Sequence, residues 1–173
     1  RMLILSLLII ALAGPQSVSS KQNVNIEGID IVMAIDVSGS MLARDFTPDR
    51  IGAAKKIATQ FINKRHNDRI GLVIFSGEAF TQAPLTTDHT MVKTLLGEIK
   101  SGMIEDGTAI GDGLATAVSR LKDSKARSKV IILLTDGVNN AGALDPESAA
   151  ELAKMFGIRV YTIGVGSRGY APY

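Results

Sequence analysis

Four apolar runs punctuate the chain: 29–35 (IDIVMAI), 70–75 (IGLVIF), 130–134 (VIILL) and 160–165 (VYTIGV). Each is short and rich in Val and Ile, with almost no polar alternation. Such runs predict strands buried on both faces, the habit of a parallel sheet. Between them the apolar positions change period. Ile51, Ala54, Ala58 and Phe61 recur at helical spacing, with Thr47 as a predicted N-cap and Pro48 at the first helical position. Ile110, Leu114, Ala117 and Leu121 repeat in the same way. Asp145-Pro146-Glu147 opens a further helix that runs to about Phe156, before Gly157, and Asp88 caps one over 89–100. Residues 78–85 (EAFTQAPL) follow a tight Ser76-Gly77 turn and predict an antiparallel strand on one edge. Strands alternating with helices predict an α/β fold: an open, doubly wound, mostly parallel sheet with helices on both faces. Ligands meet such sheets at the carboxyl ends of the strands.

A different pattern occupies the start. Residues 2–13 (MLILSLLIIALA) are apolar except for one serine, and Gly14-Pro15 stops the run. At about 1.5 Å per residue it spans roughly 18 Å, short of a bilayer core of about 30 Å. Three readings stand: the trailing part of a transmembrane helix, a signal-peptide core ending in Ala11-Leu12-Ala13, or a buried helix of a soluble protein. The first residue is Arg, which points to a piece of a longer chain. The expected organisation is 1–15 as the end of a truncated transmembrane helix, 16–26 as a linker and 27–173 as one domain.

Composition narrows the chemistry. Cysteine is absent and there are only two histidines, so thiolate zinc sites, thiol nucleophiles, disulfide scaffolds and His-rich metal sites are excluded. The formal net charge is +2, too small an excess to argue for nucleic acid. Arg120, Lys122, Lys125, Arg127 and Lys129 form the densest basic stretch and read as a solvated helix end and loop. His66 reads as part of an exposed helix end, and His89 as structural.

What remains sits at the predicted strand ends. The first strand runs into Asp36-Val37-Ser38-Gly39-Ser40, the run 130–134 into Thr135-Asp136-Gly137, and Asp106-Gly107-Thr108 precedes the helix at Ile110. Parallel strands place all three on one edge. With Asp106 set aside as a rim charge, two carboxylates and several hydroxyls, with no sulfur or imidazole, suit a hard cation such as Mg²⁺, Mn²⁺ or Ca²⁺. Asp112 reads as a first-turn partner of the helix dipole rather than a ligand. Asp45, Glu105 and Asp106 read as solvated rim charges.

The order Asp36-x-Ser38-x-Ser40, then Thr108, then Asp136 resembles the metal-ion-dependent adhesion site of von Willebrand factor A domains. The runs DVSGSMLARDFTPDR, DRIGLVIFSGEAFTQAPLTTD, DGTAIGDGLA and KVIILLTDGVNN are similar to bacterial aerotolerance membrane proteins of BatA type. The resemblance covers the chain from about Leu3 onward. It implies direct ligation by Ser38 and Ser40, with Thr108 direct or through water and Asp36 and Asp136 holding ligand waters or hydroxyls. It implies Mg²⁺ above Mn²⁺ or Ca²⁺, and no enzymatic activity. It implies a protein partner offering an Asp or Glu carboxylate, assembly with other aerotolerance-type membrane proteins, and a functional link to a MoxR-type AAA+ ATPase. Pro15-Gln16 matches the end of that family's membrane helix, which implies a bacterial inner membrane location with the domain on the periplasmic side.

Other classes compete poorly. A haloacid-dehalogenase-type Mg²⁺ phosphohydrolase, with Asp36 as nucleophile, is the alternative. It needs a general acid where Ser38 stands. A Ser-His-Asp hydrolase lacks its G-x-S-x-G signature. Residues 164–169 match G-x-G-x-x-G by letter, but a dinucleotide site needs a following helix and a later acid. Relatives of this type continue into another helix and a sixth strand, so the chain is expected to lack its last strand and helix. The apolar run 2–13 is then expected to cover exposed apolar surface on its own or a neighbouring molecule, making an oligomer of the fragment conceivable.

Overall fold

The structure, a computed structural model, describes residues 28–166. The expectations for 1–15, the linker and the tail beyond Gly166 lie outside the described residues. Five strands form one sheet: β1 (Asp30–Asp36), β2 (Arg69–Phe75), β3 (Ala79–Thr86), β4 (Lys129–Thr135) and β5 (Ile158–Gly164). Four α-helices cover it: α1 (Arg50–Asn63), α2 (His89–Glu98), α3 (Ile110–Leu121) and α4 (Pro146–Met155). A 3₁₀ turn, Gly39–Leu42, follows β1. The strand order is β3-β2-β1-β4-β5, parallel except for β3. Among the described residues no helix is long and apolar enough to cross a membrane.

The central strand explains the unbroken apolar run. All seven residues of β1 are buried, because β2 and β4 flank it and helices cover both faces. Alternate side chains serve opposite layers. Ile31, Met33 and Ile35 pack with Ala54, Ala58 and Ile62 of α1 and Val92 and Leu96 of α2. Val32 and Ala34 pack with Leu114, Ala117 and Leu121 of α3 and Ala149 and Ala153 of α4. A buried Ile or Leu contributes about 1.5–3 kcal/mol relative to its exposed state. The two layers therefore hold the sheet without relying on its short loops.

Three expectations shift. Strand β5 is parallel, but it lies at the edge of the sheet and is mostly exposed rather than buried on both faces, Tyr161 at 54%. The cap of α1 is Asp49, not Thr47: its extended backbone and carboxylate let it accept from the Gly52 amide at 2.7 Å. Thr47 stands two residues too early to reach that amide. Ile62, rather than Phe61, takes the fully buried position near the end of α1, and Phe61 is half-buried. Asp88 and Asp145 cap α2 and α4 as expected.

Helix α3 approaches the sheet closely enough to require glycine. A Cβ on Gly113 would stand 2.7 Å from the Phe75 ring, and one on Gly111 would stand 1.9 Å from the Leu144 carbonyl oxygen. By contrast, a Cβ on Gly97 of α2 meets nothing within 4 Å. These sites should respond with opposite signs in chemical denaturation. Gly97→Ala should stabilise by about 0.5–1 kcal/mol through helix propensity. Gly113→Ala should destabilise by about 1–3 kcal/mol, overpacking outweighing the same propensity gain.

Candidate metal centre

Parallel β1, β2, β4 and β5 end on the same edge, and the loops that follow them build the site. Strand β1 stops at Asp36, which is fully buried. Its carboxylate is gripped from two sides. The Ser38 amide donates to Oδ1 at 2.9 Å, and the Thr135 hydroxyl, at the end of β4, donates to Oδ2 at 2.7 Å. Burial pushes the Asp36 carboxyl up; the bonds from Ser38 and Thr135 act against that rise, and the charge of Asp136 adds to it. A cation beside it would favour the ionised form.

From there a chain of hydroxyls leads across the edge. Ser38 Oγ lies 3.0 Å from Ser40 Oγ, and Ser40 Oγ donates to Asp136 Oδ1 at 2.7 Å. A serine has one proton to give. Ser40 spends it on Asp136, so Ser38 donates to Ser40. Asp136 Oδ2 accepts from Arg50 Nη1 at 2.6 Å. Arg50 Nε and Nη2 bind both oxygens of Asp45, at 2.8 and 2.9 Å. The two carboxylates, Asp45 above all, hold the guanidinium firmly protonated.

Thr108 is buried and joins through packing. A Cβ on Gly137 would stand 3.4 Å from Thr108 Oγ1, so the hydroxyl lies against the Asp136-Gly137 turn. Its backbone is fixed reciprocally with Asn140: the Thr108 amide donates to Asn140 Oδ1 at 2.8 Å, and the Asn140 amide donates to the Thr108 carbonyl at 3.1 Å. Asn139 Oδ1 accepts from the Ile110 amide at 2.8 Å and steadies the start of α3.

The fold thus brings Asp36, Ser38, Ser40, Thr108 and Asp136 to one edge. Ser38, Ser40 and Asp136 are hydrogen-bonded in series, Asp36 underlies Ser38, and Thr108 packs on the turn after Asp136. Among the described residues no group of three or more His, Cys, Asp or Glu is arranged to hold a metal. Hard oxygen donors favour Mg²⁺, Mn²⁺ or Ca²⁺ over thiophilic metals.

The neighbours sort by role. Asp112 receives the Ala143 and Leu144 amides at 3.0 and 2.9 Å, so it braces the turn before α4. His89 bonds the Asp68 carbonyl at 2.8 Å, a structural contact far from this edge. Exposed Asp106 accepts the Gly39 amide at 2.9 Å, and the Gly39 and Gly107 amides hold its carboxyl below the usual range. Asp45 corrects its expected place as a solvated rim charge. Its side chain is 6% exposed because Arg50 clamps it.

Arg50, Asn139 and Asn140 escaped the sequence reading, and Thr135, named there in a strand-end group, was given no role of its own. Arg50 did leave a signal. A cation in the first turn of a helix opposes the macrodipole, so it needs compensation elsewhere. The carboxylates of Asp45 and Asp136 supply it.

Comparison with known proteins places this arrangement. The von Willebrand factor type A domain pattern matches residues 30–172. An uncharacterized protein of Borreliella burgdorferi is 38% identical over 162 residues, covering 92% of this chain and 47% of its own. The chain spans about half the length of the curated relatives it matches. An aerotolerance-related membrane protein from Bacteroides fragilis superposes with a TM-score of 0.78 at 35% identity, covering 84% of this chain and 71% of that one. Proximal thread matrix protein 1 of the mussel byssus, in a structure with a zinc-occupied MIDAS motif, gives a TM-score of 0.72 at 27% identity. That match covers 81% of this chain and 36% of the other. On its fold, its sequence match and the ordered residues at its strand ends, the chain belongs to the von Willebrand factor type A domain family, and it is related to aerotolerance membrane proteins.

Proposed function

We propose that the domain is a divalent-cation-dependent protein-binding module. The observation that carries this reading is the series Ser38, Ser40, Asp136 laid over the buried Asp36 carboxylate. Ser38, Ser40 and Thr108 would hold the cation, with Mg²⁺ favoured and Mn²⁺ or Ca²⁺ as substitutes. Asp36 and Asp136 would orient the hydroxyls and ligand waters from behind. When bound, the cation supplies a Lewis-acidic position for one Asp or Glu carboxylate of a partner.

The electrostatics favour that exchange. Three neutral hydroxyls leave a cation under-neutralised, so it accepts another anionic ligand readily. Arg50 strengthens this effect. It occupies Oδ2 of Asp136 and shares that carboxylate's charge, leaving Oδ1 for Ser40.

The relationship to aerotolerance membrane proteins supports a bacterial inner-membrane setting. The apolar run 2–13 would tether the chain, with the domain on the periplasmic side. Other aerotolerance-type membrane proteins would be its partners. The link to a MoxR-type AAA+ ATPase would be functional, since that ATPase is expected on the cytoplasmic side.

The hydrolase alternative meets a physical obstacle. Asp36 is fully buried, with each oxygen held by a hydrogen bond, so its carboxylate is not exposed to an incoming phosphoryl group. Its neighbour Ser38 cannot protonate a leaving group near neutral pH.

Calorimetry should show Mg²⁺ affinity falling at least roughly tenfold in Ser40→Ala and in Asp36→Asn, the scale expected for disturbed ligand support. Circular dichroism should show both variants folded. Unchanged affinity in both would overturn the site assignment. Crosslinking from membranes should capture a partner that a chelator releases, and Ser40→Ala should lose the same partner without chelator. With Mg²⁺ added, the purified protein should not hydrolyse phosphomonoesters. Turnover that disappears in Asp36→Asn would reinstate the hydrolase.

A further inference from the structure

The two ends of the sheet carry opposite charge. At the amino ends of the parallel strands, segments 28–30, 63–69, 86–90, 120–130 and 154–159 hold ten Lys and Arg, four Asp and no Glu. At the carboxyl edge, segments 36–50, 75–79, 98–112 and 135–147 hold eleven Asp and Glu against three Lys and Arg. The small net charge of +2 for the whole chain conceals this division.

Helix dipoles explain only part of the basic end. Helices α1, α3 and α4 all finish there, and Lys64, Arg120 and Lys154 lie in or beside their last turns. The dipole does not call for Lys125 in the loop after α3, or for Arg159 at the start of β5. Two cations have local duties: Arg69 pairs with buried Asp30, and Arg65 with Asp68. Lys122, Lys125 and Lys154 are exposed, and among the described residues no ion pair engages them.

The same face is shaped as well as charged. A cleft of about 370 Å³ opens there, lined by Arg69, Leu85, Arg120, Asp123, Ser124 and Lys125. At the same end of the sheet α4 finishes in two apolar side chains turned to solvent, Met155 at 78% and Phe156 at 40% exposure. The described chain also enters β1 at this end, through Gly28 and Ile29. Only residues 14–27 separate it from the apolar run 2–13. Fully extended, that stretch reaches at most about 50 Å.

We infer that this basic face docks on the anionic surface of a phospholipid bilayer, holding the metal-binding edge away from it. The inference rests on the tethered reading above. Met155 and Phe156 enter the headgroup layer beside the cations, the pairing of apolar and basic groups that interfacial segments use. The acidic edge does not cancel the attraction. Strand β1 has seven residues, roughly 23 Å at about 3.3 Å each, well beyond a Debye length of about 8 Å. A bilayer also meets all the basic segments at once, as one small acidic ligand in the cleft would not.

The chain contains no cysteine, so single labels are clean. Asn67→Cys places a fluorophore on the basic face and Val138→Cys places one at the opposite edge; both positions are exposed. The full chain is reconstituted into nanodiscs of phosphatidylcholine, with or without phosphatidylglycerol, each carrying brominated lipid as quencher. The Asn67 label should be quenched several-fold more with phosphatidylglycerol, and the Val138 label should not respond. High salt should abolish the difference. So should Lys122→Glu with Lys125→Glu and Lys154→Glu, since each Lys at an anionic surface is worth roughly fivefold in binding. Equal quenching in both lipids would overturn the inference. So would protection of the Asn67 label by a second copy, the acidic edge of one molecule meeting the basic face of another. A chain that does not enter nanodiscs would remove the tether instead. Sedimentation of that soluble chain with phosphatidylglycerol vesicles would then decide the face directly. Binding lost in the triple variant would support it, and no binding would overturn it.

Discussion

The buried carboxylate of Asp36 is the constraint on which the rest of the site depends. A carboxylate buried at the end of the central strand is costly unless hydrogen bonds satisfy it. Here the Ser38 amide and the Thr135 hydroxyl do so, tying the end of β1 to its own following loop and to the end of β4. The pairing of Ile35 with Leu134 brings Asp36 level with Thr135. Once those ends are joined, Ser38 and Ser40 have one place to go, and Asp136 follows Thr135 directly into reach of Ser40. A single buried charge thereby organises two loops that are far apart in the chain.

Strand direction then sorts chemistry by end. Parallel strands send β1, β2, β4 and β5 to the same edge, and the helices run back, so every α-helix that starts at that edge finishes at the other. Among the described helices, α2 alone, entered from the antiparallel β3, runs the opposite way. Acidic caps open α1 and α4, Asp112 lies in the first turn of α3, and basic residues gather where these helices end. The proposed cation site and the proposed membrane face are in this sense two products of one topology. Asp30 plays at the basic end a part like that of Asp36 at the other. Its buried carboxylate holds Arg69 and Ser124, fixing β1 against β2 and against the loop before β4.

Much of this was legible in the residues. The four Val- and Ile-rich runs named the parallel strands; in β1, β2 and β4 burial on both faces removes polar alternation, whereas β5 is apolar in sequence but largely exposed. The polar start of 78–85 after a tight turn marked the antiparallel edge. Asp88 and Asp145 announced their helices because a capping carboxylate acts over three residues, a distance that sequence records. Asp49 was passed over for Thr47 because several residues near Pro48 can cap, and only the backbone path selects one. Ser38, Ser40 and Asp136 could be brought to one edge because each follows a predicted parallel strand, and Thr108 because it stands in the loop just before a helix that runs back from that edge.

The sequence by itself determined the fold class and the edge where hydroxyl- and carboxylate-bearing turns gather, because these follow from periodicity and residue type. Tertiary structure alone decided which groups meet. Thr135 and Asp36 are 99 positions apart, Arg50 and Asp136 are 86 apart, and neither pair leaves a local pattern. Their contacts depend on the register of β1 against β4 and on where α1 crosses the sheet. The charge division has the same origin. The basic stretch from Arg120 to Lys129 looked like an ordinary solvated loop until the fold set it beside Lys64, Lys154 and Arg159, because no single segment carries the whole face.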